Sequence, residues 1–192
     1  MEVKMNFPRI IQGEKIVLKR ADATFKLAEE LVTAVDESRK DLLPWLPWAL
    51  NNKTAEDEFG WLLNWCEKNR KENVGYAYII RKKDGGKLLG SVDFMKINKE
   101  WKSGEIGYWL RSSEVGHGYM QEAVRLLEKE VFARDFNRIT ILNDTRNTRS
   151  VNVAKRAGYH LDGILRQDRT SPTENIFIDT NIWSKLKSEY KG

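Results

Sequence analysis

The residues whose types and spacing could do chemistry lie in one run. Glu105-Ile106-Gly107-Tyr108-Trp109-Leu110 reads as a strand, and Val115-Gly116-His117-Gly118-Tyr119-Met120 follows it as a glycine-spaced loop that opens into Gln121-Glu122-Ala123. A loop of this kind at the start of an amphipathic helix leaves the first backbone N–H groups without partners, and such groups converging on one point bind phosphate. Glycines also serve plain turns and close packing, so the loop alone leaves both readings open. Alternation along the strand puts Glu105, Gly107 and Trp109 on one face and Ile106, Tyr108 and Leu110 on the other.

Around this run the apolar periodicities set out the elements that must position it. Residues 15–20 read as a first strand, and Asp22 can cap a helix whose apolar positions include Phe25, Ala28, Leu31, Val32 and Val35. That helix should stop before Pro44. Leu43-Pro44-Trp45-Leu46-Pro47-Trp48 cannot be helical throughout, since each proline lacks an N–H and biases its predecessor towards extended geometry, so it reads as an aromatic loop. Thr54 with Asp57 resembles a capping pattern for a second helix carrying Phe59, Leu62, Leu63 and Cys66. Residues 76–80 and 87–95, joined through Asp84-Gly85-Gly86, give a hairpin.

After the glycine loop, Met120, Ala123, Val124, Leu127 and Val131 recur at helical spacing. Residues 138–142 read as a strand, and 147–157 as a helix closed by Gly158. Strand, helix, strand in that order implies a parallel pair with a crossover. Residues 159–165 and 176–183, joined through Thr170-Ser171-Pro172-Thr173, complete a mixed sheet.

Composition narrows the classes. A chain of 192 residues with 41% apolar content suits one domain, with a core expected over about 13–188. No run approaches the roughly 18 apolar residues of a membrane span, and Met1-Glu2-Val3-Lys4-Met5-Asn6-Phe7-Pro8 lacks the apolar centre of a signal peptide, so a soluble cytoplasmic protein is expected. Cys66 is the single cysteine and reads as a packing residue. With only His117 and His160 beside it, a metal site is not expected. The net charge of +5 suits an acidic ligand. Basic residues are interleaved with acids, as in Glu67-Lys68-Asn69-Arg70-Lys71-Glu72, so direct nucleic-acid binding is not expected.

The ordered set of Glu105 to Leu110, Gly118-Tyr119 with Glu122-Ala123, Asn147-x-x-Ser150 and Arg156-Ala157-Gly158-Tyr159 resembles the GNAT superfamily of acetyl-CoA-dependent N-acetyltransferases. Together with Leu43-Pro44-Trp45-Leu46-Pro47-Trp48, it is most similar to the ribosomal-protein N-terminal (serine/alanine) acetyltransferases of the RimJ and RimL type, from about Gly13 onward. The resemblance implies a mixed α/β fold with a mainly antiparallel central sheet, one splayed parallel strand pair and flanking helices. It implies acetyl-CoA as cosubstrate, held by the backbone of Val115, Gly116, His117, Gly118, Tyr119 and Met120, by strand groups near Trp109 and Leu110, and by Asn147 and Ser150. Val115 stands where the family pattern has Arg or Gln, and Met120 where it has Gly or Ala; both still offer an N–H.

By the same resemblance Glu105 is the candidate general base, with a structural or substrate-positioning carboxylate as its other reading. Trp45 and Trp48 would wall the acceptor groove or simply anchor their loop. Many family members place a tyrosine acid seven residues after the motif asparagine; Ala154 stands there, as in the RimL type, which uses the serine matching Ser150 as hydroxyl donor to the sulfur. The slot of a second, glutamate base holds Arg169.

The expected function is acetyl transfer to an amine, foremost the N-terminal α-amine of a protein such as a ribosomal protein. The alternatives are a small amine (a polyamine, amino acid or antibiotic) and a non-catalytic acyl-CoA sensor. A homodimer is compatible with this reading, and a membrane partner is not expected.

Overall fold

The structure, a computed structural model, describes residues 5–51 and 53–191; the first four residues, part of the stretch read for a leader, lie outside it. Its strands are Ile10–Gln12 (β1), Ile16–Arg20 (β2), Tyr76–Lys82 (β3), Leu88–Asn98 (β4), Ser103–Leu110 (β5), Arg138–Asp144 (β6), His160–Thr170 (β7) and Phe177–Leu186 (β8). They form one sheet in the order β1-β2-β3-β4-β5-β6-β8-β7. Every neighbouring pair is antiparallel except β5 and β6. Those two run parallel because the helix Tyr119–Ala133 (α4) carries the chain back across the sheet between them.

The remaining helices are Phe25–Leu42 (α1), Ala55–Trp61 (α2), Lys68–Glu72 (α3) and Thr148–Arg156 (α5). A π-helical turn, Leu62–Glu67, makes α2 and α3 one helical run. Among the described residues no helix is long and apolar enough to cross a membrane.

Two apolar cores sandwich the sheet. On one face α4 buries Ala123, Val124, Leu127 and Val131 against Leu18, Tyr78, Ile80, Phe94 and Ile106. On the other, α1 and the α2–α3 run bury Leu27, Ala28, Leu31, Val35, Leu62 and Cys66 against Ala77, Ile79, Leu88 and Trp109. Consecutive residues of β3 therefore face different cores, the burial on both faces that a central strand shows. Cys66 is buried, and desolvation holds its thiol far above the usual range, consistent with packing.

Capping follows the sequence at α2 and departs from it at α1. The Thr54 hydroxyl accepts from the Asp57 N–H at 3.2 Å while the Asp57 carboxylate accepts from the Thr54 N–H at 3.0 Å. At α1 the cap is Thr24, accepting from Leu27, and not Asp22. Asp22 instead faces Arg9, Arg20 and Arg70, a cluster of cations that competes for its oxygens. Pro47 opens a 3-10 turn, Pro47–Leu50, inside the stretch read as loop, because a proline at a first helical position has no N–H to lose.

A glycine sets the spacing at the middle of the sheet. Gly104 pairs with Ile139, and a Cβ there would stand 2.4 Å from ring atoms of Phe94. Gly104→Ala is expected to destabilise the protein by about 1–3 kcal/mol through overpacking, read as a lower urea midpoint. An unchanged midpoint would show that the Phe94 ring yields without penalty.

Candidate active site

β5 and β6 pair through Ser103/Arg138, Gly104/Ile139 and Glu105/Thr140, and then part. Beyond that point β5 follows β4 as far as Gly90/Leu110, and β6 follows β8 as far as Asp144/Thr180. Their facing edges are left unpaired, which is costly for backbone polar groups unless a ligand or water meets them. The gap opens into a cavity of about 620 Å³. Ile106 to Leu110 line one wall and residues 141–144 the other, with the starts of α4 and α5 between them.

The glycine loop forms one end of this cavity. Gly116 and Gly118 take left-handed conformations, φ 93° and 80°, that side chains adopt rarely, and a Cβ on either would meet nothing within 4 Å. The loop is therefore open on its outer side. Gly118 is the N-cap of α4 and supplies no side-chain acceptor, so the amides of the first turn are free for an anion. The Val115 N–H already points at the Ser112 carbonyl, 3.5 Å away, which leaves the stretch from Gly116 onward as the donor set. Met120, which departs from the family pattern, packs its side chain in the core at 7% exposure and leaves the loop uncrowded. The Gln121 amide has neither its oxygen nor its nitrogen paired, although both are buried and the residue lines the cavity.

α5 brings a hydroxyl to the other wall. Asn147 caps the helix, its Oδ1 accepting from the Ser150 N–H at 3.1 Å, and both residues line the cavity. The Ser150 Oγ stands 2.9 Å from the Tyr108 hydroxyl and accepts from Asn143 Nδ2 at 3.2 Å. Asn143 is fixed in turn, since its Oδ1 accepts from Asn181 Nδ2 and Trp183 Nε1. That fixes which end of the amide faces Ser150 and so makes Ser150 an acceptor from Asn143. Burial, opposed in part by the Ser150 hydrogen bond, pushes the Tyr108 hydroxyl up to about 12, so it stays protonated and able to donate.

The sheet face carrying Glu105, Gly107 and Trp109 forms the far side, under the loop after α1. Trp45 and Trp48 line the cavity, and the Trp48 ring meets Trp109 edge-on at 5.9 Å. Glu105 also lines it, with its carboxylate paired to Lys96 at 2.9 Å. Of the residues singled out in the sequence, His117 does not line the cavity: its ring is exposed and leans on Tyr119. Arg169 does line it. Among the described residues no group of three or more His, Cys, Asp or Glu side chains stands where it could hold a metal ion.

Sequence reasoning passed over Asp93. It lies on β4 opposite Gly107, between the pairs Met95/Glu105 and Ser91/Trp109, and it lines the same cavity. Its Oδ1 is buried without a hydrogen-bond partner. Desolvation, opposed slightly by the nearby Ser91 hydroxyl, raises its carboxyl from 3.8 to about 8. The signal was available, since Asp93 is a lone acid in an otherwise uncharged run from Leu88 to Met95.

Comparison with known proteins places this geometry. The family model for the acetyltransferase (GNAT) domain matches residues 18–160. A ribosomal-protein-serine acetyltransferase of Escherichia coli (strain K12) is 29% identical over 184 residues, covering 85% of this chain and 96% of the relative. Among solved structures, the RimL ribosomal-protein alpha-N-acetyltransferase in complex with coenzyme A superposes with a TM-score of 0.85 at 22% identity, over 94% of this chain and 99% of that one. The microcin self-immunity acetyltransferase MccE, in complex with acetyl-CoA and AMP, does so with a TM-score of 0.82 at 24% identity, over 91% and 93%. At these identities the two structures establish the shared fold.

The raised carboxyl of Asp93 gives a stability test. Above pH 3.8 the unfolded chain ionises this group while the folded protein holds its proton up to about 8, so stability is lost progressively as pH rises between those values. Asp93→Asn removes that dependence. Relative to the wild type, the variant is expected to gain stability from pH 4 to pH 8 in parallel denaturant titrations. A constant difference across that range would show that Asp93 ionises as freely when folded as when unfolded.

Proposed function

The chain belongs to the GNAT acetyltransferase family, and on that premise we propose that it transfers the acetyl group of acetyl-CoA to the N-terminal α-amine of a protein, such as a ribosomal protein. The observation that carries the proposal is the parted strand pair, with an uncapped helix start at one end and an acid- and tryptophan-lined groove at the other. The E. coli relative and the RimL structure support the choice of acceptor.

The residues present fit the cosubstrate. The amides from Gly116 into the first turn of α4, with Gln121, would hold its pyrophosphate, and the freed edge of β5 near Trp109 and Leu110 would hold its pantetheine arm beside Asn147. Acetyl-CoA, when bound, supplies an activated thioester and a thiol as leaving group. Ser150 then donates its hydroxyl hydrogen towards the sulfur, while Tyr108 and Asn143 direct hydrogens at its oxygen and keep it aimed. Of the roles open to Glu105, its pairing with Lys96 favours positioning: a fixed charge at the groove that orients an incoming ammonium. Trp45 and Trp48 would close the groove over the acceptor's first residues.

A polyamine acceptor would call for a negative groove. The cavity's acids, Asp41, Asp93, Glu105 and Asp144, are matched in number by Lys96, Arg149, Arg156 and Arg169, so its charge does not favour one.

At pH 7 an α-amine of reference pKa about 7.7 to 8.0 is roughly a tenth neutral, whereas a lysine amine near 10.4 is neutral in about one molecule in two thousand. Peptides beginning with Ser or Ala are therefore expected to be acetylated much faster than the same peptides with a blocked N-terminus and a free lysine. Equal rates would argue against an α-amine acceptor, and a faster reaction with spermidine would move the activity to small amines.

Removing the Ser150 hydroxyl takes away one neutral donor, worth about 1 to 3 kcal/mol, so Ser150→Ala should slow turnover by roughly ten- to a hundredfold with acetyl-CoA affinity nearly unchanged. Full turnover in that variant, with chemistry shown to limit the rate, would pass the donor role to water.

A further inference from the structure

The cavity has a buried carboxylate oxygen without a hydrogen-bond partner, Asp93 Oδ1, on the sheet face that carries Glu105 and Trp109. We infer that the Asp93 carboxyl is the seat of the acceptor amine, taking up one proton of an incoming primary ammonium ion at the floor of the groove. The inference rests on the acetyltransferase reading for the rest of the reaction.

Geometry carries it. Asp93 shares its sheet face with Glu105 and Trp109, on the neighbouring strand and opposite Gly107, the residue of that row without a side chain. Trp48 and Trp109 stand at the same cavity, so an amine reaching Asp93 would pass between aromatic rings and the strand gap. The surrounding protein provides no counter-ion. Lys96 is held by Glu105 at 2.9 Å, and Arg70, behind it on the helical run, is held by Asp22 at 3.1 Å. Arg149, Arg156 and Arg169 line the cavity without an ion pair to Asp93, and Cys66, which interacts with Asp93 from the helical run, is a buried thiol held far above its usual range. A buried carboxyl left unpaired is destabilising by itself, so a donor arriving from outside recovers what the fold gave up.

The chemistry follows from matching proton affinities. As the ammonium seats, Asp93 gives up its own proton to solvent; the resulting carboxylate then takes one proton from the ammonium, which frees the nitrogen lone pair. Acetyl transfer forms the N–C bond, breaks the C–S bond and sends the second amine proton to the sulfur; Asp93 ends protonated as it began, and the one proton released on seating is the net proton of the reaction, so charges and atoms balance. With its carboxyl near 8, Asp93 shares a proton almost evenly with an α-amine. A lysine amine near 10.4 would hold that proton roughly a few hundredfold more tightly, so this seat selects α-amines over lysine.

The deciding experiment starts from the wild-type protein, with two variants as controls. A Ser-initiated peptide is titrated into the wild-type protein saturated with coenzyme A, which cannot react. Calorimetry in two buffers of different ionisation enthalpy counts protons, and infrared difference spectra follow the protonated carboxyl. Near pH 7 both Asp93 and the α-amine start mainly protonated, and as an ion pair they keep one proton fewer. About one proton released per peptide, with loss of a protonated-carboxyl band that is absent from Asp93→Asn, is the expected result. The acetylated peptide should give neither signal, and Glu105→Gln should weaken peptide binding while leaving both signals per bound peptide.

Asp93→Asn should lower kcat/KM at least tenfold while retaining thermal stabilisation by acetyl-CoA. No proton release and an unchanged carboxyl band on peptide binding would overturn the inference, and loss of release in Glu105→Gln would transfer the seat to Glu105. A protein that discharges Asp93 on binding the amine but gains no thermal stability from acetyl-CoA would sink the acetyl-transfer reading and leave the amine seat standing.

Discussion

The structure turns on two parallel strands that hydrogen-bond for three residues and then stop. Continuing β5 and β6 side by side would satisfy their backbones and erase the site. Several contacts hold them apart. The Tyr108 hydroxyl reaches across the gap to Ser150, and Asn143 on β6 is tied back to β8 through Asn181 and Trp183. On the other side β5 is drawn to β4: a Cβ on Gly90 would stand 2.1 Å from the Trp109 carbonyl oxygen, so only glycine allows that approach. Below the fork the Thr140 hydroxyl donates to the Gly104 carbonyl at 3.2 Å and keeps the pair closed.

Buried side-chain atoms without a partner occur at Ser91, Arg111, Glu128 and Tyr159 as well as at the cavity, where Asp93 and Gln121 carry them. Asp93 and Gln121 are both buried, both unpaired in part, and both line the cavity. Lys185 donates to Glu128 Oε2 at 3.1 Å, and the other oxygen of that carboxylate is buried without a partner. A buried donor or acceptor without a partner is destabilising by about 1–3 kcal/mol, and at Asp93 and Gln121 the cavity gives a ligand access to the group left unpaired.

Much of this was legible in the sequence where a local rule decides. The capping box at Thr54, the turn at Asp84-Gly85-Gly86, the apolar stripe of α4 and the alternation along β5 all appear as read. β1 was not read because three residues with an exposed, buried, exposed pattern give no periodic signal. β7 runs beyond residue 165 because it is an edge strand, exposed almost throughout, whose register shifts between Leu165 and Arg169 obscure any alternation. Asp22 was misread as a cap because its competitors, Arg9 and Arg70, are distant in sequence. Asp93 was missed for the same reason: its environment is made by β5 and the α2–α3 run, and no window of sequence around it contains them.

The two faces of the sheet divide the chemistry, and this explains which departures from the family pattern the fold tolerates. On the α4 and α5 face, the proposed phosphate site would rest on backbone amides and on the left-handed glycines Gly116 and Gly118, so Val115 and Met120 keep what that site needs while the Met120 side chain is absorbed by the core. On the α1 and α2 face, the proposed amine site would rest on side chains, Asp93, Glu105, Trp45 and Trp48, of which Trp48 packs against a separate core. Backbone recognition constrains conformation and leaves side-chain identity free, whereas side-chain recognition constrains identity. On the proposed reading, the preference for one acceptor over another would be carried by the second face, and Ser150, in the gap between them, would serve whichever amine that face admits.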